Sequence, residues 1–169
     1  MNRKSNTIDR ISILLLGGLM NGNKEAVSNS VLAQMAEIEN INMPGKDGRT
    51  LLIHFCAYDY YYLAEAAIYR KADVDYQDKN GFTALHAAVK SHDIALVDLL
   101  LENGASPNLT NAYGNNPSMD ATNDWEILKT LLDHGCDIKH KNKGNVSPYD
   151  VLQLHDDIAE RLFEYQGKK

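Results

Sequence analysis

The stretch that decides the fold is residues 78–108, DKNGFTALHAAVKSHDIALVDLLLENGASPN. It opens with a polar turn at Gly81, and Thr83 then stands where the N-cap of a short helix is expected. Further along, the leucines of residues 94–101 have the spacing of one buried helical stripe. Gly104 occupies a position typical of the residue that ends a helix. The stretch therefore predicts a turn, a short helix, a tight connection and a second helix.

The glycine of this turn recurs along the chain. Successive turn glycines lie 33, 33 and 30 residues apart, at Gly48, Gly81, Gly114 and Gly144. We expect each to supply the positive φ that a tight hairpin turn requires. The glycines that end the second helices, Gly104 and Gly135, are only 31 residues apart. Two residues are therefore missing, and we place the gap between the helices of the third copy, around Asn123-Asp124. A period of about 33 residues is the signature of a repeat protein.

Residues 78–108 resemble the ankyrin repeat. The positions that match the family pattern are Asp78, Gly81, Thr83, Leu85, His86, Ala88, Gly104, Ala105 and Asn108. The other copies are similar but degenerate. The resemblance implies an all-α ankyrin-repeat solenoid of about five helix-turn-helix units with short hairpin loops. It also implies that His86 is a structural histidine that hydrogen-bonds the turns.

The repeats predict a single domain over residues 1–169. Its units are an N-terminal capping repeat at 1–44, repeats at 45–77, 78–110 and 111–141, and a C-terminal cap at 142–169. One face of the first helix is apolar and comprises Ile8, Ile11, Leu15 and Leu19. This pattern favours a packing helix over a signal peptide or a membrane span. The side chains expected to cover the opposite end of the stack are Leu152, Ile158, Leu162 and Phe163.

The composition limits the class of partner. The chain has a net charge of -6 and no concentrated basic stripe, which argues against a nucleic-acid partner. Its two cysteines, Cys56 and Cys136, lack the spacing of a zinc site or a disulfide framework and indicate buried thiols in a reducing compartment. We therefore expect a cytoplasmic protein that is a monomer by itself and has no membrane partner.

The sequence contains no signature of catalysis. It has no glycine-rich phosphate loop, no HExxH helix and no G-x-S-x-G elbow. Among its six histidines, no pair has metal-ligand spacing on one helix face. We predict that the protein is not an enzyme and uses no cofactor and no metal.

The resemblance implies that a partner protein binds to the concave surface of the first helices and to the hairpin tips. The predicted partner-binding residues are Lys46, Arg49, Tyr58, Tyr60, Lys79, Asn80, Phe82, Lys90, Ser91, Tyr113 and Asn115. We expect Phe82 to dominate, because a large apolar side chain on a rigid turn buries its area at little entropic cost. The alternative for the aromatic residues is that they pack on neighbouring repeats, as we expect for Tyr61 and Trp125.

The sequence leaves several roles open for such a binding protein. Small acidic ankyrin proteins resemble bacterial immunity proteins, which neutralise a cognate secreted toxin, and an acidic inhibitor suits a basic target. The alternative is a regulatory adaptor, a host-directed effector or a non-catalytic subunit of a stable complex. The basic run at residues 139–143 is interpreted as a solvated hairpin tip, with a rim contact to an acidic partner as its alternative.

Overall fold

The computed structural model describes residues 3–154 and 156–167, with side chains from residue 7 onward except at residue 156. This part of the chain forms nine α-helices and one 3-10 helix, and the connections between them are short. The α-helices are α1 (Arg3–Asn21), α2 (Lys24–Met35), α3 (Leu51–Ala57), α4 (Tyr61–Tyr69), α5 (Ala84–Lys90), α6 (Ile94–Glu102), α7 (Trp125–Asp133), α8 (Pro148–Leu152) and α9 (Asp156–Gln166). The 3-10 helix Pro117–Ala121 lies between α6 and α7.

The helices pack in two layers. In the first layer, α1 contacts α3, α3 contacts α5, and α5 contacts the 3-10 helix. In the second layer, α2 contacts α4, α4 contacts α6, and α6 contacts α7. Each first-layer helix is followed in sequence by its second-layer partner, so the chain forms five stacked helix pairs with a continuous apolar core. The predicted all-α solenoid of stacked helix pairs is confirmed.

The first helix of the second repeat, residues 78–110, begins as the sequence predicts. Thr83 is the N-cap of α5, and its hydroxyl oxygen accepts a hydrogen bond from the backbone N–H of His86 at 3.2 Å. The imidazole Nδ1 of His86 accepts from the backbone N–H of Thr83 at 3.3 Å, which completes a capping box. At the end of α6, Gly104 has a φ of +86°, as expected for a residue just beyond a helix.

His86 joins this helix to the next hairpin. Its Nε2 lies 3.0 Å from the carbonyl oxygen of Asn115, and because a carbonyl can only accept, Nε2 carries the proton. The side chain is fully buried, and burial lowers the pKa of His86 below its usual 6.5. The neutral ring therefore accepts on one side and donates on the other, which is the structural role that the resemblance implies.

The third unit is shorter than the second, but the shortening lies elsewhere than predicted. Its first helix is a 3-10 helix of five residues, whereas α5 has seven. The connections that follow are equally long, because residues 122–124 correspond to residues 91–93. The two missing residues therefore come from the first helix and not from the turn around Asn123-Asp124.

The fourth hairpin turn also differs from the prediction. The residue with positive φ is Asn145, at +60°, and its N–H bonds to the carbonyl of Asn142 as Gly114 bonds to Asn111 in the preceding turn. Gly144 therefore precedes the residue that adopts positive φ. Asparagine tolerates the left-handed conformation better than most residues, which is why the turn forms without a glycine there.

The two ends of the stack are covered by apolar side chains, with one correction at each end. Ile8, Ile11 and Leu15 of α1 are buried, but Leu19 is 39% exposed. In this last turn of α1 the buried residue is Gly18, because the side chains of Tyr60 and Val27 pack closely against it.

At the other end, Leu152, Ile158 and Leu162 are buried, as predicted, whereas Phe163 is 78% exposed. Ile158 and Leu162 are four residues apart on one face of α9, and Phe163 is rotated about 100° from that face toward solvent. The predicted contribution of Phe163 to the cap is therefore wrong.

Side chains at one repeated position, two residues before each of the first three hairpin segments, join consecutive units. Asn42 accepts a hydrogen bond from a backbone N–H of the following unit at 2.7 Å and donates to a backbone carbonyl at 3.3 Å. Asn108 makes the same two contacts, at 2.7 and 2.9 Å, and Asp75 accepts from one backbone N–H at 2.8 Å. These three residues are 33 positions apart, so the sequence period is also the period of the contacts between units.

No helix in the described ranges is both long and apolar enough to cross a lipid bilayer.

Candidate partner-binding face

The hairpin segments 44–50, 77–83, 110–116 and 139–147 lie beside the first-layer helices, and we call this side of the molecule the hairpin face. Neighbouring hairpins are joined by backbone hydrogen bonds, from Ala112 N–H to the Asn80 carbonyl at 2.7 Å and from Lys143 N–H to the Tyr113 carbonyl at 3.0 Å. Gly81 has a φ of +72°, and a Cβ placed there would lie 3.0 Å from backbone atoms of the next hairpin. The second, third and fourth hairpins therefore form a closely packed row.

Four of the predicted residues line one cleft on the hairpin face. The cleft has a volume of about 320 Å³ and is lined by Arg49, Ala57, Phe82, Ala87, Lys90 and Ser91. Its floor consists of small alanine side chains, and its walls carry one aromatic ring and two cationic side chains. Arg49 is held in place by Asp78, whose Oδ2 lies 3.2 Å from Nε, and its guanidinium carbon is 5.9 Å from the Phe82 ring centroid.

The two aromatic residues that we expected to project from this face are only half exposed. The ring centroid of Phe82 is 4.9 Å from that of His86, and Phe82 packs against the core. Tyr58 stacks on His54 with a centroid distance of 6.0 Å. One side of each ring therefore contributes to the fold and the other remains available to a partner.

Tyr60 does not belong to the partner-binding set. It is 3% exposed, and its hydroxyl donates a hydrogen bond to the carbonyl oxygen of Leu15 in α1 at 2.9 Å. Burial raises the pKa of Tyr60 above its ordinary value. The alternative that it packs on a neighbouring repeat is correct for this residue. The sequence signal that could have revealed it is Gly18, whose missing side chain lets the tyrosine reach α1.

The remaining predicted residues differ in how far they are available to a partner. Those with exposed side chains are Lys46, Lys79, Asn80, Lys90 and Tyr113. Tyr113 is 73% exposed, the highest value among the aromatic residues of the predicted set. By contrast, the side-chain oxygen of Asn115 accepts from Asn142 at 2.7 Å, and Ser91 donates its hydroxyl to the carbonyl of Ala88 at 3.0 Å. The side chains of Asn115 and Ser91 are therefore held by hydrogen bonds within the protein and are less available to a partner.

A buried histidine lies beneath the first hairpin. His54 is 4% exposed, and its Nε2 lies 3.1 Å from a carboxylate oxygen of Asp47, but the two groups lack hydrogen-bond alignment. Burial lowers the pKa of His54 despite the nearby carboxylate. Within the described residues, no cluster of three histidine, cysteine or acidic side chains could hold a metal ion.

The structure also places the tryptophan and the two cysteines that the sequence analysis discussed. The half-buried ring of Trp125 packs on the core and lies 6.2 Å, centroid to centroid, from Tyr165 of α9. Cys56 and Cys136 are free and buried, and burial raises the pKa of both thiols, that of Cys136 to about 11. On the second layer, Tyr62 and Tyr69 are 76% and 85% exposed.

The fold and the face together define a class: a helical repeat protein that presents a continuous row of hairpins for contact with another molecule. Comparison with known sequences identifies the family. The pattern described as Ankyrin repeats (3 copies) matches residues 15–111 and 53–142. The chain belongs to the ankyrin repeat family, and it is a protein–protein interaction module.

Relatives come from a bacterium and from viruses. A putative ankyrin repeat protein of Rickettsia bellii is 32% identical over 114 residues, which is 62% of this chain and 33% of that protein. A putative ankyrin repeat protein of Acanthamoeba polyphaga mimivirus is 38% identical over 78 residues, 46% of this chain and 19% of that protein. An ankyrin repeat protein of monkeypox virus is 40% identical over 42 residues, 25% of this chain and 7% of that protein. The chain thus spans a third or less of the length of these relatives.

Proposed function

We propose that this protein binds one partner protein through its hairpin face, as a monomeric single domain in the cytoplasm with the unit boundaries predicted above. The observation that carries the proposal is the cleft formed by Arg49, Phe82, Lys90 and Ser91. These residues come from different units, yet they lie around one depression next to a row of hydrogen-bonded hairpins. A surface held this rigidly loses little conformational entropy on binding.

The specific role we propose is inhibition of a bacterial toxin. In this role the protein binds its target without chemically changing it, which agrees with the buried and neutral state of His54 and His86 beneath the face. We propose that catalysis, cofactors and metals have no part in it. The test is co-expression with the product of the neighbouring gene. We expect that product to arrest bacterial growth alone and not in the presence of this protein; a harmless neighbour that does not bind would exclude the role.

A second role, regulatory adaptor or host-directed effector, is favoured by the viral relatives. Viruses carry out their functions inside host cells, so an ankyrin protein in a virus acts among host proteins. Under this role, affinity capture from host-cell lysate should recover one specific partner in stoichiometric amount. A third role, a non-catalytic subunit of a stable complex, would instead give a complex that co-purifies from the native cell.

The binding surface is tested in the same way for all three roles. Once a partner is captured, calorimetry compares the wild-type protein with Phe82→Ala, Lys90→Ala and, as a control on the second layer, Lys129→Ala. Phe82→Ala should weaken binding by about 2 kcal/mol, which is typical of a hot spot, and Lys90→Ala by less than about 1 kcal/mol. Binding that survives both cleft variants but fails for Lys129→Ala would place the partner on the second layer and refute the proposal.

Phe82→Ala needs a stability control. Because the Phe82 ring packs on His86 and the core, its removal also lowers the free energy of unfolding. Tyr113→Ala provides a cleaner probe of the same face, since the ring is 73% exposed. Circular dichroism should show both variants folded at the temperature of the binding assay.

A further inference from the structure

The charge of this protein is unevenly distributed. The four hairpin segments hold six lysines and arginines and two aspartates, a net charge of +4. Because the whole chain carries -6, the remainder carries -10. The basic side chains in these segments are Lys46, Arg49, Lys79, Lys139, Lys141 and Lys143. The row of hairpins is therefore a basic edge on an acidic protein, and this six-residue set is called the basic edge below.

The charges of the basic edge are offset unevenly along the row. Asp78 has a side chain that is 1% exposed, and its carboxylate is paired with Arg49 at 3.2 Å. In the first hairpin, Lys46 is paired with Asp9 at 3.6 Å, and the side chain of Asp47 is 47% exposed beside the neutral His54. Lys79 and the three lysines of the fourth hairpin, by contrast, are exposed to solvent. A molecule approaching the later hairpins therefore meets cationic groups first.

The basic edge is densest at the fourth hairpin, which the third hairpin holds in place. Three hydrogen bonds join the two: Lys143 N–H to the Tyr113 carbonyl at 3.0 Å, Asn142 to Asn115 at 2.7 Å, and His140 Nε2 to the Gly114 carbonyl at 3.2 Å. The exposed ring of Tyr113 is thus fixed beside the lysines. An aromatic ring next to a set of cations offers both apolar area and charge to a ligand.

The ammonium groups of this hairpin are exposed, and that of Lys139 lies over the Tyr149 ring, 5.5 Å from its centroid. Within the ranges that the structure describes, Lys139, Lys141 and Lys143 have no carboxylate within the 4.0 Å of an ion pair. Two nearby carboxylates accept backbone hydrogen bonds: Asp137 from the Lys139 N–H at 2.9 Å and Asp150 from the Ser147 N–H at 2.9 Å. These bonds fix the positions of the carboxylates, and the hydrogen bonds from Ser147, together with the charge of Lys141, lower the pKa of Asp150.

The second layer has the opposite charge. Its acidic side chains on α4, α6, α7 and α9 include Glu65, Asp98, Glu102, Glu126, Asp133, Asp157, Glu160 and Glu164. The same helices carry only Lys129 and Arg161 as basic residues. A long polyanion such as a nucleic acid would therefore be repelled by most of the molecule, whereas a short acidic segment of a folded partner can contact the basic edge alone.

We infer that the partner contacts the basic edge with an acidic segment that also carries an apolar residue, which packs on Tyr113. This inference rests on the proposed function, since it describes the chemistry of the partner at the same face. It replaces the sequence-based expectation of a basic target, because the net charge of -6 does not describe the surface that meets the partner.

The test uses a fluorescein-labelled, glutamate-rich peptide of about 12 residues with one central leucine, and it measures anisotropy at low salt. The first variant replaces Lys139, Lys141 and Lys143 with glutamine. The matched control replaces Lys71, Lys129 and Arg161, which lie outside the hairpins, with glutamine. Both variants have the same net charge of -9, three less than the wild type. Only the position of the lost charges differs between them.

We expect the hairpin variant to bind the peptide at least about tenfold more weakly than the wild type and the control variant to bind within about twofold of it. Equal weakening of both variants would mean that only net charge acts and would overturn the inference. A single-stranded oligonucleotide of equal charge that binds more tightly than the peptide would also overturn it.

The experiments distinguish a failure of this inference from a failure of the proposed function. If the acidic peptide does not bind while a captured partner still responds to Phe82→Ala and Lys90→Ala, the charge inference fails and the hairpin face remains the binding surface. If the captured partner is insensitive to the cleft variants and to the hairpin variant alike, the proposed binding surface itself fails.

Discussion

The close approach of neighbouring hairpins predicts that two equivalent glycines differ in their tolerance of alanine. Gly48 and Gly81 occupy the same position in consecutive units, with φ of +83° and +72°. A Cβ at Gly81 would lie 3.0 Å from backbone atoms of Asn111 and Thr110, whereas a Cβ at Gly48 would be 3.6 Å from its nearest neighbour, the backbone nitrogen of Lys79. Alanine variants at these two positions therefore separate the free-energy cost of positive φ from the cost of steric contact with the next hairpin.

The expected magnitudes follow from these two terms. Alanine at positive φ costs about 1–2 kcal/mol, and the less flexible unfolded chain returns about 0.4–1 kcal/mol, so Gly48→Ala should lose about 1 kcal/mol. At Gly81 the new methyl group also presses on backbone that cannot rotate away, and overpacking of this kind costs about 1–3 kcal/mol more. Gly81→Ala should therefore lose about 2–4 kcal/mol of unfolding free energy.

Urea denaturation followed by circular dichroism measures the difference directly. With a slope near 2 kcal/mol per M, the midpoint of Gly81→Ala should lie about 0.5–1.5 M below that of Gly48→Ala. Gly114→Ala should behave like Gly81→Ala, because its Cβ would meet the backbone nitrogen of Lys143 at 3.0 Å. Equal midpoints for Gly48→Ala and Gly81→Ala would refute the close contact between the second and third hairpins.

Three further predictions concern pH, the C-terminal cap and the thiols. Burial lowers the pKa of His54 and His86 below 6.5, so the unfolded chain takes up protons before the folded protein does as the pH falls. The Tm should therefore be constant near pH 7.5 and should decrease once the pH is lowered below about 6.5. A Tm that increases on acidification would contradict this sign. Removal of residues 151–169 should expose the apolar face of the last units and cause aggregation or loss of helical circular dichroism, and a monomer with unchanged melting would refute the cap. EDTA and dithiothreitol should leave the Tm unchanged, since Cys56 and Cys136 are buried thiols, and a shift of several degrees with either reagent would reveal a metal site or a bridge.

The sequence predicted the repeat architecture because the turns and caps depend on local chemistry. The signals are a glycine at positive φ, a threonine at an N-cap and a histidine three residues later that completes the capping box. All three stand within one unit, so they can be recognised without knowledge of the neighbouring units. The same reasoning misplaced the shortening of the third unit. Whether a deletion shortens a helix or a turn depends on the packing of the neighbouring α5, which spacing does not reveal.

The candidate site was less accessible to sequence reasoning, because exposure depends on contacts between units. Tyr60 follows a turn, where exposure is common, but α1 carries a glycine opposite it and the ring is buried. Phe163 stands beside two buried residues of α9, yet it points toward solvent. Similarly, the net charge of the chain gave no indication that its basic side chains gather along the hairpins.

The bridges formed by Asn42, Asp75 and Asn108 have a consequence for how such a protein can change in length. Each of these side chains bonds only to backbone atoms of the next unit, and those atoms are present whatever the sequence of that unit. A duplicated or deleted whole unit would therefore preserve every bridge, and the third unit, although two residues shorter than the second, still bonds to Asn108. Growth by whole units leaves these bridges intact, and the much longer relatives are of a kind that such growth can generate.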